Sequence, residues 1–325
     1  MRTGAFAVGI AVLLTAACGT AAVAPPPTSI RIATINRALG DALARIYNQQ
    51  VADVHVTVAA TDTSRFNLRA LEEGAADIGF VRADLAYAAH SQGTPLHPQP
   101  HRRLRGIAVV GRSLLHIVVR ADSPVRTLAD LRAAPLGLPS ASASARERMA
   151  SDGNRGLYRE LLVASGMLTA DEIRTVPMGP GALIDALDAR EVAGALSMTP
   201  SQAPPLSRMA HDHAGLRVIE IAPDVALRIR AQHQFFKPAL IPAGTYGGQE
   251  HDVRTVGVDT LVVCRADLPE EVVYALVRAL FASLPELMHA SEVMRAVDPD
   301  LAPATPIALH PGAARYYRER ELPHY

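Results

Sequence analysis

The chain has 325 residues, 32 Lys+Arg against 32 Asp+Glu, 49% hydrophobic residues and two cysteines. This length suits about two domains of roughly 150 residues, each with its own core, and the abundance of Leu, Val, Ile and Ala excludes disorder. Zero formal net charge argues against a nucleic-acid binder, which needs a basic surplus, and two cysteines supply neither a disulfide framework nor a four-cysteine zinc site.

At the N-terminus, Arg2 precedes an apolar run, Ala5 to Ala17, too short to span a bilayer as a helix. Residues 1–17 therefore read as a secretory signal and are set aside from the fold. The run ends Leu14-Thr15-Ala16-Ala17-Cys18-Gly19, and small residues ahead of a cysteine resemble a bacterial lipobox, in which Cys18 is acylated and becomes the new N-terminus. Thr15 stands where a leucine is usual. The competing site, Ala22-Val23-Ala24, is followed by Pro25, a poor residue after a cleavage point. Residues 18–29, with Pro25-Pro26-Pro27, read as a semi-rigid tether. The expected location is the periplasm, with a lipid anchor at Cys18 as the membrane attachment. Cys264, within Leu261-Val262-Val263-Cys264, reads as a small core residue.

Ile30-Arg31-Ile32 and Val54-His55-Val56-Thr57-Val58 alternate as strands do. Between them Leu39, Leu43, Ile46 and Tyr47 recur at helical spacing. A second helix around Asn67 to Gly74 leads into the strand Ile78-Gly79-Phe80-Val81, so strands and helices alternate as they do on a mainly parallel sheet. Leu104 to Val110 and Leu115 to Val119 read as two further strands. Thr127 to Leu131 opens a short helix, and Leu136-Gly137-Leu138 is strand-like. Ser144-Ala145-Arg146-Glu147 and Thr169-Ala170-Asp171-Glu172 both have the capping-box form. Thr175 to Met178 is a strand, Ala182 to Leu187 a helix, Ala193 to Leu196 a buried strand, and Leu216 to Ile221 alternates again. Gly244-Thr245-Tyr246-Gly247-Gly248 is a loop before the long strand Thr255 to Arg265. Pro269, with Glu270 and Glu271, begins a helix through Leu284. The order suggests a discontinuous arrangement: residues 30–115 as the first part of lobe 1, 116–245 as lobe 2, and 246–325 completing lobe 1 with C-terminal helices. A cleft between two such lobes is the natural ligand site.

The stretch from Ala60-Thr61-Asp62-Thr63-Ser64-Arg65-Phe66-Asn67-Leu68 to Gly74-Ala75-Ala76-Asp77-Ile78, with Ala83-Asp84-Leu85-Ala86-Tyr87, resembles the TAXI group of TRAP-transporter solute receptors. Four further matches follow in order: Val119 to Ser123 with Leu128 to Leu131; Ile241 to Tyr246; Arg265 to Pro269; and Leu309 to Ala313 with Tyr316-Tyr317. The resemblance implies a periplasmic-binding-protein type II fold, α/β, with two lobes, a ligand cleft between them and crossing hinge strands. It implies an extracytoplasmic receptor that binds a small organic anion, an amino acid or dicarboxylate, by lobe closure and delivers it to the membrane permease subunits of a TRAP transporter. Against the family pattern, the loop after Thr34 is shortened and runs through Ile35-Asn36 straight into a helix. Asp62-Thr63 replaces paired glycines, Leu138 to Ser144 replaces a glycine-rich turn, and Arg82 stands where a glutamine is usual. The framework is kept while the ligand-facing motifs differ.

The candidate ligand contacts follow from chemistry at these positions. Ser140, Ser142 and Ser144 lie between a strand and a helix N-terminus, where N–H groups and hydroxyls hold a carboxylate; the alternative is a serine-rich cap in which Ser144 and Glu147 satisfy those donors. Arg82 follows an apolar strand at the end where α/β sheets carry ligands, and its guanidinium either binds a carboxylate bidentately or pairs with Asp84 or another acid. Lys237 is the chain's sole lysine; coding bias accounts for the arginine excess in general, and Arg82 is the exception with a chemical reason. Thr61 and Ser64 are read as ligand contacts, Asn67 as the helix cap, and Asn36, in the shortened loop, as a further contact. Tyr246 either closes over a ligand or packs between lobes. His211-Asp212-His213 reads as a solvated loop, since no H-E-x-x-H motif or cysteine pair accompanies it, so no metal or cofactor is expected. No G-x-S-x-G, P-loop or dinucleotide fingerprint is present, which makes an enzyme the weakest reading. A sensory or partner-binding protein that has lost transport is the runner-up.

Overall fold

The structure is a computed structural model and describes residues 28–61, 63–94, 97–139, 156–178, 182–200 and 215–321. Cys18, the leader and most of the tether, the serines at 140, 142 and 144, and His211-Asp212-His213 lie outside the described residues.

The first half of the chain folds as the alternation of periods dictates. Strands β1 (Thr28–Thr34) and β2 (Val54–Ala60) pair in parallel, Thr28 opposite Val54 through to Thr34 opposite Ala60. Strand β3 (Ile78–Arg82) joins β1 on its other side, also in parallel. Helix α1 (Arg37–Gln50) links β1 to β2 and buries Leu39, Leu43, Ile46 and Tyr47. Helix α2 (Ser64–Glu72) links β2 to β3, and α3 (Ala83–Ser91) follows β3 directly. In the second half, β5 (Pro135–Pro139) pairs in parallel with β6 (Arg174–Met178) and with β7 (Gly194–Pro200). Helix α4 (residues 156–164) precedes β6, and α5 (Ala182–Asp188) connects β6 to β7.

Two long antiparallel strands join the halves. Strand β4 (Leu104–Arg120) pairs with β10 (Val253–Arg265) from Leu104 to Leu114, and with β7 from Ser113 to Val118. Strand β10 pairs with β9 (Phe236–Ile241) over Val253 to Val258, and with β3 over Thr260 to Cys264. The sheet order is β2-β1-β3-β10-β4-β7-β5-β6, with β8 (Leu216–Val218) against β4 and β9 against β10. Strand β10 changes partners between Val258 and Thr260 and β4 at Ser113–Leu114, next to the Gly111–Thr260 pair and a register break between Thr260 and Leu261. This differs from the sequence expectation of two separate strands broken near Leu115. The polar Gly111-Arg112-Ser113 passage interrupts the apolar run but not the backbone pairing. Asp259 fixes this crossing: it accepts from Arg112 Nε at 2.9 Å and from Lys237 Nζ at 2.6 Å.

The pairing change also moves the crossing away from the boundaries drawn in the sequence at 115/116 and 245/246. Residues 223–241, which carried no sequence assignment, form α6 (Pro223–Gln232) and β9. The expected helix through Leu284 divides at Ser283 into α7 (Glu270–Ala282) and α8 (Leu284–Ala290), bent by 69°. Pro285 begins the second piece, where its missing N–H is harmless. No single helix among the described residues is long and apolar enough to cross a membrane. Beyond α8, backbone bonds from Val109 N to Ala302 O (2.8 Å) and from His310 N to Gly106 O (2.9 Å) cover the otherwise open edge of β4. Helix α9 (Pro311–Glu321) then packs on α7, and the Tyr317 hydroxyl donates to Ile107 O at 2.9 Å. Cys264 is fully buried, and burial pushes its thiol up, as expected of a core residue.

Gly111 has φ +153°, and a Cβ added there would approach Val293 Cγ1 at 3.3 Å. Gly111→Ala is expected to destabilise the fold by about 1 kcal/mol or more through backbone strain and this contact. Urea denaturation checks it; an unchanged midpoint would remove Gly111 as a conformational requirement of the crossing.

Candidate functional site

Because β1, β2 and β3 are parallel, their C-terminal ends fall on one edge of the sheet, and the N-termini of α1, α2 and α3 gather there. Thr61 N donates to Thr34 O at 3.0 Å, closing the β1 and β2 ends together. A cluster of helix N-termini is electropositive and favours anions. The caps are supplied by Asn36 for α1, accepting from Leu39 N, and by Thr63 for α2, accepting from Phe66 N.

The proposed contacts divide when placed on this edge. Asn36, expected to meet ligand, is engaged at both polar atoms: Oδ1 caps α1 and Nδ2 donates to Ser291 Oγ at 2.9 Å. It anchors the shortened loop instead. Asn67, expected as a cap, is fully buried and donates to Phe80 O at 2.8 Å, while its Oδ1 accepts from the Thr61 hydroxyl. It ties α2 to β3 four residues past the N-cap Thr63, and it engages Thr61 internally. Ser64 Oγ accepts from Arg82 N at 2.8 Å, so the first turn of α2 is pinned to the end of β3.

Tyr246, read as a possible lid, is a packed residue. It is 2% exposed, and its hydroxyl lies 2.7 Å from His116 Nδ1. Gly244 and Gly248 adopt positive φ in the turns on either side of it. His116, on β4, was not singled out by the sequence. Burial holds its imidazole well below the ordinary value, at about 4, with Thr199 pulling upward through its backbone.

Arg82 takes the second of the alternatives raised by the sequence, the pair with Asp84. It is 7% exposed and pairs side-on with Asp84, Nε to Oδ1 at 3.0 Å and Nη2 to Oδ2 at 2.9 Å. Burial acts to lower its pKa, but the charge and hydrogen bonds of Asp84 outweigh this and leave it raised. The guanidinium has five donors, and Asp84 occupies one edge. The end-on pair formed by Nη1 and the second Nη2 proton has no partner among the described residues. That fork matches one carboxylate or sulfonate.

Arg82 also sits where the two halves meet. Tyr158, from α4, is close enough that the Arg82 charge draws its hydroxyl pKa down, although burial still pushes it up to about 12. Its hydroxyl accepts from Met198 N on β7 at 2.8 Å. Tyr87 of α3 and Phe235, just before β9, add a second bridge between halves with ring centroids 4.9 Å apart. Tyr158 could not be found from sequence, since one tyrosine in a helix looks like core. Among the described residues no group of three or more His, Cys, Asp or Glu side chains converges as a metal site.

The NMT1-like family pattern matches residues 37–320, and the chain belongs to that family. Solved structures resemble it in fold at low identity. XAC2383 from Xanthomonas citri, bound to chloride ion, is 13% identical with a TM-score of 0.50, covering 90% of this chain and 99% of its own. A Methylobacillus flagellatus KT protein, named for the periplasmic sulfonate-binding protein SsuA, is 17% identical with a TM-score of 0.50 and coverages of 92% and 82%. The periplasmic aliphatic sulphonate binding protein SsuA from Escherichia coli is 14% identical with a TM-score of 0.49 and coverages of 92% and 89%. The mixed α/β fold, helices flanking a central sheet, is that of periplasmic solute-binding proteins.

The His116 shift has a definite consequence for acid stability. Unfolding restores an ordinary imidazole near pH 6.5, so the unfolded chain takes up the proton first. The contribution is complete above that value and is lost as the pH falls toward 4, to a total on the order of 3 kcal/mol. Between about pH 7.5 and about pH 4.5 wild type is expected to lose about 2–3 kcal/mol more stability, read by urea denaturation, than His116→Gln. An equal pH response in the two proteins would refute the assignment.

Proposed function

We propose that this NMT1-like protein is an extracytoplasmic solute receptor that holds a small organic anion between two lobes and hands it to a membrane permease. The observation that carries the reading is Arg82: a buried guanidinium, fixed on one edge by Asp84 and open on the other, at the seam between the halves. Around it stand three helix N-termini and the Ser64 hydroxyl, which accepts from the Arg82 amide and donates to no described residue. In this reading the sheet halves are the lobes and the Gly111–Thr260 crossing is the hinge. A charge held in fixed geometry costs little reorganisation when ligand arrives, which favours affinity.

Two permease types fit such a receptor. The ordered motifs support a TRAP-type secondary transporter; membership of the NMT1-like family and likeness to proteins named for sulfonate ABC import favour an ATP-driven importer. Uptake that collapses with the sodium gradient supports the first, and uptake that follows ATP supports the second.

Thermal-shift screening with amino acids, 2-oxo acids, dicarboxylates and alkanesulfonates is expected to yield a stabilising ligand. Arg82→Gln/Asp84→Asn, which leaves no lone buried charge, is expected to weaken that ligand at least about tenfold while the unliganded protein stays folded. Unchanged affinity in the double variant would overturn the site.

The lipid anchor has its own test. Cells given a labelled fatty acid are expected to incorporate it into the wild-type protein and not into Cys18→Ser, which should appear in the soluble periplasmic fraction. Equal labelling of both would exclude Cys18 as the attachment point.

A further inference from the structure

We propose that the edge of the first half of the sheet opposite Arg82 is a docking surface for anionic phospholipid headgroups. Docked there, the receptor lies against the membrane with its ligand edge turned away from the bilayer. This surface is distinct from the ligand site, and owes only its nearness to the membrane to the Cys18 anchor proposed above.

Strand pairing defines the edge. Strand β10 is antiparallel to both β3 and β4, and β3 is parallel to β1, so the N-terminal ends of β1, β3 and β4 lie with the C-terminal end of β10. Arg82 closes β3 at its other end. Arginines collect at the first edge from three segments of the chain. Arg31 of β1 reaches Asp77 at 3.1 Å, and Arg265, closing β10, reaches Asp77 at 3.2 Å and Asp267 at 2.6 Å. Asp267 also takes Arg103 at 3.1 Å, and Ala266 N donates to Arg103 O at 2.7 Å. Arg105 Nη1 donates to the carbonyls of Arg102 and Leu104, at 2.7 and 2.9 Å. Arg102 is exposed, and no acid among the described residues pairs with it. Asp53, beside Thr28, is a third acid, so these five arginines against three acids leave two positive charges over. Glu270, farther on, has Arg315 at 3.9 Å.

The histidines among these arginines register the excess. Burial lowers the pKa of His90, and Arg102 and Arg105 lower it further; burial, His97, Arg103, His90 and Arg265 act in the same direction on His101. Guanidinium groups with donors left over suit phosphate oxygens, and a plane of phosphates meets arginines spread along an edge as one small anion cannot. The chain itself places a membrane there. Thr28 enters β1 at this edge, its N bonded to Asp53 O at 2.7 Å. Cys18 lies ten residues earlier, so an acyl chain on it keeps the edge within roughly 35 Å of the headgroups. So short a tether raises the local concentration of phosphate facing the arginines and makes a weak electrostatic contact effective.

The test is co-sedimentation of the unacylated Cys18→Ser protein with vesicles of phosphatidylglycerol and phosphatidylethanolamine, and with vesicles of phosphatidylcholine, at about 0.02 M salt. Binding is expected to the anionic vesicles alone, and is expected to be lost at about 0.3 M salt. Arg102→Gln/Arg103→Gln in the same background is expected to weaken it at least about tenfold. Arg174→Gln/Arg230→Gln removes as much charge from exposed positions of the second half, and is expected to leave binding within about twofold. Equal weakening by both pairs, equal binding to both kinds of vesicle, or no binding to the anionic ones overturns the surface. The receptor reading stands or falls separately on the Arg82→Gln/Asp84→Asn protein, and the anchor on the fatty-acid label.

Discussion

Two strands belong to both halves of the molecule, and most of the remaining architecture follows from that. Each of β4 and β10 must pair with one set of neighbours over part of its length and another set over the rest. A regular ladder cannot do this without a local break. The break is concentrated at Gly111 and at the register shifts around Thr260, where a residue without a Cβ and an extra unpaired position absorb the change in direction. Asp259, held by Arg112 and Lys237 from the adjoining strands, keeps the three strands together where the ladder is weakest. Since β1 and β3 enter in parallel beside β10, their C-terminal ends and the following helix N-termini must lie along the seam that this crossing creates.

The Arg82–Asp84 pair is best understood as geometry. Desolvating two charges offsets much of their attraction, so a buried pair is poor evidence of net stability, whereas removing one partner costs several kcal/mol. What the pair secures is orientation. Residue 82 is the N-cap position of α3 and residue 84 lies in its first turn, so strand end and helix start together fix both backbones. Ser64 fixes the Arg82 amide from a third direction. A flexible side chain becomes a rigid donor fork with one edge used and one edge open.

The sequence disclosed the elements whose own periodicity decides them. The spacing of Leu39, Leu43, Ile46 and Tyr47 survives as the buried face of α1, and the alternation in Val54–Val58 survives as β2. It failed where a long-range partner decides. The continuity of β4 through Gly111 depends on β10, more than a hundred residues away, so two apolar runs looked like two strands. For Tyr246 the sequence left a closing and a packed role open, and only His116, 130 positions earlier, decides for packing by partnering its hydroxyl. Thr63 and Asn67 are both good capping types, and only the helix start distinguishes the cap from a buried tie to β3. The pairing of Arg82 with Asp84 was legible as one of two alternatives, because the two residues lie two positions apart at a strand end.

Equal totals of acid and base, 32 each, exclude the basic surplus of a nucleic-acid binder and leave the local fields open. Net charge governs the far field, which is screened within about 10 Å at ordinary ionic strength. Within the seam what matters is which charges are matched by contact. Arg82 and Asp84 form such a match; Glu72 is nearly buried, its pKa raised by burial and then lowered again by His97 and Arg65. A cluster can therefore sum close to zero and still present donors without acceptors, since a carboxylate two helical turns away offsets charge but cannot receive a hydrogen bond. In the proposed site, recognition of an anion would rest on unfilled hydrogen-bonding capacity in a dry place, which a neutral protein can supply as well as a basic one.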